Sequence, residues 1–257
     1  MMAKKRAQAR KRQDSPEQQP QSAKRRRADE GTGRWLWEWV KSISVAILLF
    51  LIIRTFAVEA FKIPTGSMED TLLVGDFLLV NKAVYGAQVP LTGVRLPAIE
   101  NPERGDIVVF EYPLDRSKNY VKRVVGLPGD RVAMRGGELY VNGERVEEDY
   151  VQHTQPGNDY YDHQFEWQRE YLAPEVDAST YRPTRDDWGP ILVPVGKYFV
   201  MGDNRDNSQD SRYWGFVDRD LIKGRPLFIY YSFDRSKLRP LPWLTEVRWS
   251  RVGDLVR

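Results

Sequence analysis

The sequence predicts an all-β body that follows a single N-terminal transmembrane helix. Near its N-terminus the chain holds a run of twelve uncharged, mostly apolar residues, Ser42–Ile53. After residue 61 it alternates short apolar runs with Gly, Asp and Pro turn signals, and no helical period of any length is found. At 257 residues the chain is long enough for an anchor and one or two modest domains with a buried core.

Residues 1–34 form a basic segment that we expect to be a disordered cytoplasmic tail. The segment has eleven Lys or Arg and four Asp or Glu, a net charge of +7 that leaves −4 for the rest of a chain whose total is +3. It contains no Val, Ile, Leu, Phe, Tyr or Trp, so it cannot bury enough apolar surface to offset its ordering entropy. A basic run directly before an apolar segment favours the cytoplasmic side of a membrane over a nucleic-acid patch.

The apolar run is the centre of the predicted anchor, residues 35–60. A helix needs about 20 residues to cross the hydrocarbon, so the span must include flanking residues, with Lys41 and Arg54 extending towards the interfaces. A cleavable secretory signal is the rival interpretation, but only Ala57-Val58-Glu59 is even a marginal cleavage site. We favour an uncleaved anchor, and the positive-inside rule then places the body outside the cytoplasm.

The body contains short apolar runs that we predict to be strands, and one hairpin around the Asn142-Gly143 dipeptide, which favours a tight turn. Residues 132–197 differ in texture, because aromatic residues lie there among acids, amides and prolines. We predict an inserted subdomain at 132–197, between two segments of one β core, 61–131 and 198–257. The predicted strands are Asp76–Asn81, Asp106–Glu111, Asn119–Val125, Lys197–Met201 and Leu227–Phe233.

Ser67 is the candidate nucleophile. The chain has no cysteine and only two histidines, which leaves few other ways to activate a nucleophile for acyl transfer. Pro64 fixes the approach of the chain and Gly66 allows a tight backbone beside the serine. The Ser67 amide and the Thr65 hydroxyl can both donate to an oxyanion.

Lys122 is the candidate base. A lysine accepts a proton at neutral pH only when burial lowers its pKa from about 10.4. Lys122 lies in the apolar segment Tyr120–Val125, and Arg123 points to the opposite face by the strand period of two. The sequence therefore predicts a Ser/Lys pair.

A third segment, Met201–Val217, is rich in Asp, Asn, Ser and Arg. Its acids suggest a calcium loop, but the spacing excludes one because Arg205 takes a ligand position and no glycine is in sixth place. His153 and His163 lack metal-ligand spacing and are interpreted as surface residues. No Ser-x-x-Lys pair occurs, so the penicillin-binding class is unsupported, and no phosphate loop is found. Because acyl transfer by a serine and a lysine needs neither, we expect no metal and no organic cofactor.

The anchor together with Pro64–Asp76, Arg104–Asp130 and Met201–Val217 resembles bacterial type I signal peptidases. The resemblance implies a signal-peptidase or LexA-like β fold in which Ser67 is the nucleophile and Lys122 the general base. Thr65 takes the place of a side-chain oxyanion donor, and Ser208 that of the serine that orients the lysine amine. Residues that support the site, the last two as an ion pair, are Asp203, Arg205, Asp210 and Arg212.

The same resemblance implies a membrane-bound serine endopeptidase that removes signal peptides from exported preproteins, with small residues at the first and third positions before the cut. Its partners would be preproteins, the lipid bilayer and the secretion translocon, with no nucleic acid. It would lie in the inner (plasma) membrane, with the N-terminus cytoplasmic and the catalytic domain on the outer face. Trp243 and Trp249 would hold the site at the membrane surface. Candidate walls of the substrate pockets are Phe77, Leu78, Val80 and Val84.

Two alternatives stay open at this point. A soluble self-cleaving repressor shares the Ser/Lys pair, but the basic tail and anchor argue against it, and no DNA-reading helix pair precedes the serine. An inactive membrane-tethered binding module could keep the fold, although it would most simply have lost one member of the pair. One position departs from the family pattern: Asp70 stands where many members have proline.

Overall fold

The computed structural model of the protein describes residues 21–89, 92–154, 157, 159–237 and 240–257, with side chains from residue 33 onward. The chain separates into two compact units that divide between Phe50 and Leu51. Residues 1–20 of the predicted tail lie outside the described residues.

The N-terminal element is helix α1 (Gln21–Ile52), which continues into a π-helical turn, Ile53–Ala57. Within the described residues, Gly33–Ala57 is the one helical stretch long and apolar enough to cross a membrane, and none of its apolar window is buried. The helix begins earlier than predicted, inside the segment assigned to the tail. The residues at 21–30 are mostly Ala, Lys, Arg, Gln and Glu, which are strong helix formers, so the apolar helix extends back through them.

The rest of the chain is built mainly from antiparallel strands in two sheets, as the predicted all-β class requires. The first sheet has seven strands in the order β1-β2-β11-β3-β4-β9-β10, and the second has four in the order β7-β6-β5-β8. The strands are β1 (Val58–Lys62), β2 (Asp76–Asn81), β3 (Ile107–Tyr112), β4 (Asp115–Gly126), β5 (Arg131–Arg135), β6 (Glu138–Val141), β7 (Glu144–Arg145), β8 (Trp188–Leu192), β9 (Lys197–Met201), β10 (Val217–Asp218) and β11 (Ile222–Ser232).

Helical segments in the body are short. They comprise α2 (Ser211–Trp214), α3 (Pro242–Thr245) and 3-10 turns at His163–Tyr171, Arg219–Leu221 and Trp249–Arg251. The longest of these, His163–Tyr171, falls in the region where the sequence showed no apolar periodicity. The Asp162 side chain caps it by accepting from Gln164 N at 2.8 Å.

The predicted strands are confirmed, and two of them, β2 and β9, have the predicted bounds. Strand β4 starts earlier, at Asp115, because its first residues are polar and exposed and so carry no apolar signal. Strand β11 also starts earlier, at Ile222, although Gly224 and Pro226 read as turn residues. Register shifts beside both positions accommodate them within the strand.

The second sheet lies within residues 131–192, so it begins one residue before the predicted insertion and ends inside it, and it shares a core with the first sheet. Val125 and Phe199 from the first sheet pack in one buried cluster with Val132, Trp188 and Ile191 from the second. Two further buried clusters lie on the first sheet, one around Phe110 and Val200 and one around Leu78 and Val109. The proposed domain boundaries remain a prediction, since the two sheets belong to one compact unit.

Candidate active site

Ser67 and Lys122 meet in the body, 55 residues apart in sequence. Lys122 Nζ donates a hydrogen bond to Ser67 Oγ at 2.5 Å. Strand β4 brings the lysine there, because its inner half is buried between β3 and β9. Lys122 is 4% exposed and Ser67 is 9% exposed, so both polar groups are held away from bulk water.

Burial lowers the pKa of Lys122 to about 8, because an ammonium group loses its hydration there. The negative charges of Asp210 and Asp203 oppose this shift, and the positive charge of Arg212 adds to it. A substantial fraction of the amine is therefore neutral just above neutral pH. A neutral amine at this distance can accept the proton of the serine hydroxyl.

The serine lies in a tight segment between β1 and β2. Ile63 N donates to Asp76 O at 2.9 Å, and Leu72 N donates to Met68 O at 2.6 Å. The Ser67 carbonyl accepts from Asn204 N at 3.2 Å, so the Met201–Val217 segment holds the serine backbone directly. Thr65 is exposed and lines the same cleft as Ser67.

Gly202, in that segment, packs tightly against the backbone of the serine. A Cβ placed on it would lie 2.4 Å from Ser67 O and 2.3 Å from Ser208 Oγ, distances that no side chain tolerates. The sequence analysis did not single out Gly202. By contrast, Gly66 does not have a positive φ, and the tightest contact of a Cβ there would be the flexible Glu69 carboxylate at 3.2 Å, with Asn207 Nδ2 at 3.9 Å. The tight approach that was expected at Gly66 is made at Gly202 instead.

Asp210 and Arg212 form a fully buried ion pair beside the site, with Arg212 Nε 2.8 Å from Asp210 Oδ1 and Nη2 2.9 Å from Oδ2. Burial raises the pKa of Asp210, but the Arg212 charge and hydrogen bonds outweigh it and keep that pKa below its usual value. Asp210 Oδ2 also accepts from Gly202 N at 3.0 Å. The Ser208 hydroxyl is buried and favours the charged form of the Asp210 carboxylate. It makes no hydrogen bond of good geometry with any described residue.

Asp203 and Arg205 each pair with a charge from another part of the chain. Asp203 takes two hydrogen bonds from Arg123, at 2.7 and 2.9 Å, and a third from Thr71 Oγ1 at 2.7 Å. Arg205 Nη2 donates to Glu148 Oε1 at 2.6 Å. The sequence analysis named neither Arg123 nor Glu148 as a partner. An arginine inside an apolar strand requires one, and this was the available signal.

The cleft above Ser67 has a volume of roughly 270 Å³ and mixed polar and apolar walls. The predicted walls were wrong. Leu78 and Val80 are fully buried in the core, Val84 is in a second core cluster, and Phe77 packs against Tyr231 and Phe233. The reason is the sheet order: β2 lies between β1 and β11, so its inward side chains fill the core. Side chains that do line the cleft include Phe61, Ile63, Met68, Tyr120, Val121, Asn207 and Gln209.

Comparison with known proteins identifies the family. Residues 36–231 match the family model described as signal peptidase, peptidase S26. The signal peptidase I of Pseudomonas aeruginosa is 40% identical over 228 residues, 83% of this chain and 77% of that protein. The signal peptidase I of Aquifex aeolicus is 35% identical over 233 residues, 78% of this chain and 86% of that protein.

A solved signal peptidase I of Enterococcus faecalis is 34% identical and covers 50% of this chain and 98% of that one, with a TM-score of 0.34. The family match spans well over half of the chain. The chain therefore belongs to the signal peptidase family, peptidase S26, and is a serine endopeptidase.

Proposed function

We propose that the protein cleaves signal peptides from exported preproteins with Ser67 as nucleophile and Lys122 as general base. The observation that carries this proposal is the 2.5 Å contact between Lys122 Nζ and Ser67 Oγ, made by a lysine whose pKa is lowered to about 8. The proposal agrees with the names of the relatives, which are signal peptidases.

The reaction proceeds in two steps. Neutral Lys122 takes the Ser67 proton while Oγ bonds to the scissile carbonyl carbon, and the resulting ammonium gives the proton to the leaving amine as the peptide bond breaks. In the second step the neutral Lys122 amine takes a proton from a water molecule as that water attacks the acyl-enzyme. Lys122 then returns the proton to Ser67 Oγ as the new carboxylic acid leaves. The Ser67 amide and the Thr65 hydroxyl are the proposed oxyanion donors.

Ser208, Asp210 and Arg212 support the base in this proposal. The ion pair gives the Met201–Val217 segment a fixed, buried frame. The role proposed for Ser208, to orient the lysine amine, rests on the family resemblance, because its hydroxyl makes no hydrogen bond of good geometry among the described residues. Asp203 and Arg205 hold the same segment through their partners on other strands.

Substrates would be preproteins with small residues at the first and third positions before the cut, bound as an added strand. The cleft beside Ser67, with Phe61, Ile63 and Met68 in its walls, suits apolar side chains of such a substrate. The helical stretch Gly33–Ala57 would anchor the enzyme in the inner membrane with the catalytic body on the outer face, where the translocon delivers substrates. Exposed Trp243 and Trp249 suit contact with the membrane interface.

The test uses detergent-solubilised full chain and a preprotein with an Ala-x-Ala site. Wild type should cleave it, whereas Ser67→Ala and Lys122→Met should not. Equal cleavage by all three would reject the Ser/Lys pair. Binding of the preprotein without cleavage by wild type would favour the alternative, an inactive membrane-tethered binding module of the same fold.

A further inference from the structure

A short segment that follows β7, residues 148–152, makes a turn in which Val151 N donates to Glu148 O at 3.2 Å and then runs beside the Asp203–Arg205 turn. We call it the strap. Gln152 N donates to Asp203 O at 2.8 Å, and Arg205 N donates to Gln152 O at 2.9 Å. Gln152 also forms a parallel bridge with Asn204. The strap therefore adds backbone pairing to the turn that leads to Ser208 and Asp210.

Two side chains of the strap reach towards the Asp203–Arg205 turn. Glu148 and Tyr150 are turned inward, whereas Asp149 is exposed. Glu148 Oε1 accepts from Arg205 Nη2 at 2.6 Å and from the Tyr150 hydroxyl at 2.7 Å. Glu148 is the one carboxylate that pairs with Arg205 among the described residues, and it also holds the Tyr150 hydroxyl.

The Tyr150 ring covers the face of the Arg123 guanidinium. The central carbon of that group lies 3.8 Å from the ring centroid. The edges of the group are also occupied, because Asp203 takes two hydrogen bonds and Gly105 O takes a third at 2.8 Å. A guanidinium that is bonded at its edges and stacked on one face has little freedom to turn.

Arg123 is the neighbour of Lys122 in β4, and it neutralises a charge that acts on that lysine. Asp203 is one of the two carboxylates that raise the pKa of Lys122 against the effect of burial. A firmly held Arg123 offsets the Asp203 charge. An Arg123 that turned away, or that admitted water, would leave this charge facing the amine.

We infer that Tyr150 is a positioning residue of the peptidase reaction. It holds the Arg123 guanidinium against Asp203, so that the Asp203 charge near the Lys122 amine stays neutralised. Within the described residues Tyr150 makes no hydrogen bond or ring contact with Ser67 or Lys122, so its ring acts through Arg123, while its hydroxyl bonds Glu148. The inference rests on the proposed function of Lys122 as the base. It gives the insertion, which lies outside the catalytic pair, a defined part in the chemistry.

The test replaces the ring in the full chain and measures kcat, KM and their pH dependence on the Ala-x-Ala preprotein. Tyr150→Leu and Tyr150→Met remove the aromatic face with two different shapes, and Tyr150→Phe keeps the face without the hydroxyl. We expect the first two to move the acidic limb of kcat upward by about one pH unit. That shift lowers kcat at pH 7 by about tenfold, with KM little changed. Tyr150→Phe should retain most of the wild-type kcat and the wild-type position of the acidic limb.

Tyr140→Leu is the matched control, because it removes another half-buried tyrosine from the predicted insertion, on β6, outside the cleft and the strap. It should leave the pH profile unchanged. Wild-type profiles in both Leu and Met variants would overturn the inference, as would loss of folded protein in both while the Phe variant folds, since the ring would then be purely structural. Ser67→Ala separates the two proposals: if it cleaves as wild type does, the proposed function itself fails.

Discussion

Lys122 affects both the proposed chemistry and the stability of the body, because its amine is buried. It is 4% exposed and contacts Ser67 Oγ at 2.5 Å. Its lowered pKa makes it a base near neutral pH, and the same shift makes it a poor residue for stability, because the unfolded chain solvates the ammonium better.

The activity should rise with pH through the pKa of Lys122. Because the base must be neutral, kcat/KM is expected to increase about tenfold per pH unit below about 8 and to level off above it. Initial rates on the Ala-x-Ala preprotein between pH 5.5 and 10, chosen to span this range, provide the measurement. A limb near 6.5, about the ordinary value for histidine, would contradict the assignment.

Removal of the amine should stabilise the body. The folded pKa of about 8 lies below the unfolded value of about 10.4. The unfolded chain therefore binds more protons between these values, and this contribution to stability rises with pH across that window. We expect Lys122→Met to raise the free energy of unfolding at pH 7 by on the order of 1–3 kcal/mol. Urea unfolding at pH 7 and pH 10 checks this, and Lys122→Met should lack the rise seen in wild type.

Gly202 is a second residue with a sharp expectation. Gly202→Ala places a Cβ within 2.4 Å of Ser67 O and 2.3 Å of Ser208 Oγ, so either the serine or the turn must shift. Displacements of this kind near reacting atoms cost about a hundredfold in rate. Gly66→Ala is the matched comparison beside the same serine and should cost much less, since only the Glu69 side chain must yield. Equal losses in the two variants would refute this interpretation.

At the scale of the elements, the turn between β4 and β5 joins the two sheets through one carboxylate. Asp130 accepts from Leu127 N at 2.7 Å, from Asn142 Nδ2 at 2.8 Å and from Arg104 Nη2 at 2.9 Å. The turn follows Lys122 by only a few residues, so its geometry also fixes the end of the strand that carries the base.

Asp130→Ala should loosen this turn. It leaves three donors without their acceptor, and because these donors are exposed or only partly buried, the expected cost is about 1 kcal/mol. Urea unfolding gives the stability, and amide hydrogen exchange shows whether the loss is concentrated in β4 and β5. Asp130→Asn retains a carbonyl acceptor for the turn and should lose less. Unchanged exchange in both strands would show that the turn forms without the carboxylate.

At the scale of the whole molecule, α1 is expected to hold the enzyme in a membrane. The stretch Gly33–Ala57 has the length and composition of a span. In cells that express the full chain, the protein should stay in the membrane pellet after alkaline carbonate extraction. A chain that begins at Val58 should be lost from the pellet to a large extent. Release of the full chain by carbonate would reject the anchor.

The sequence predicts the strands of the body well, because each buried strand is an apolar run between turn signals. It does not predict their order: β11 pairs with β2 and β3, which lie far upstream, and such pairing has no local signal. The error over the cleft walls has this cause, since only the sheet order shows that Leu78 and Val80 face the core.

The site was predictable where chemistry limits the choice and unpredictable where backbone conformation decides. A chain without cysteine that pairs Ser67 with Lys122 has few other solutions. Asp70 illustrates the second case. Its φ is 80°, which proline cannot adopt, and its carboxylate accepts from Gln152 of the strap at 3.3 Å. No pattern in the sequence indicated that Asp70, where the chain departs from the family pattern, would have a left-handed backbone conformation.

The buried ion pairs also determine when in the life of the chain the site can form. Arg123 and Asp203 are 80 residues apart in sequence, and Arg205 and Glu148 are 57 apart. During synthesis the chain emerges N-terminus first, so the segment that carries Ser67 waits for residues beyond 200 before its supports exist. A nascent chain that ends before residue 200 therefore contains Ser67 and Lys122 but lacks the ion pairs that hold them in place. We expect peptidase activity only after most of the polypeptide has left the ribosome.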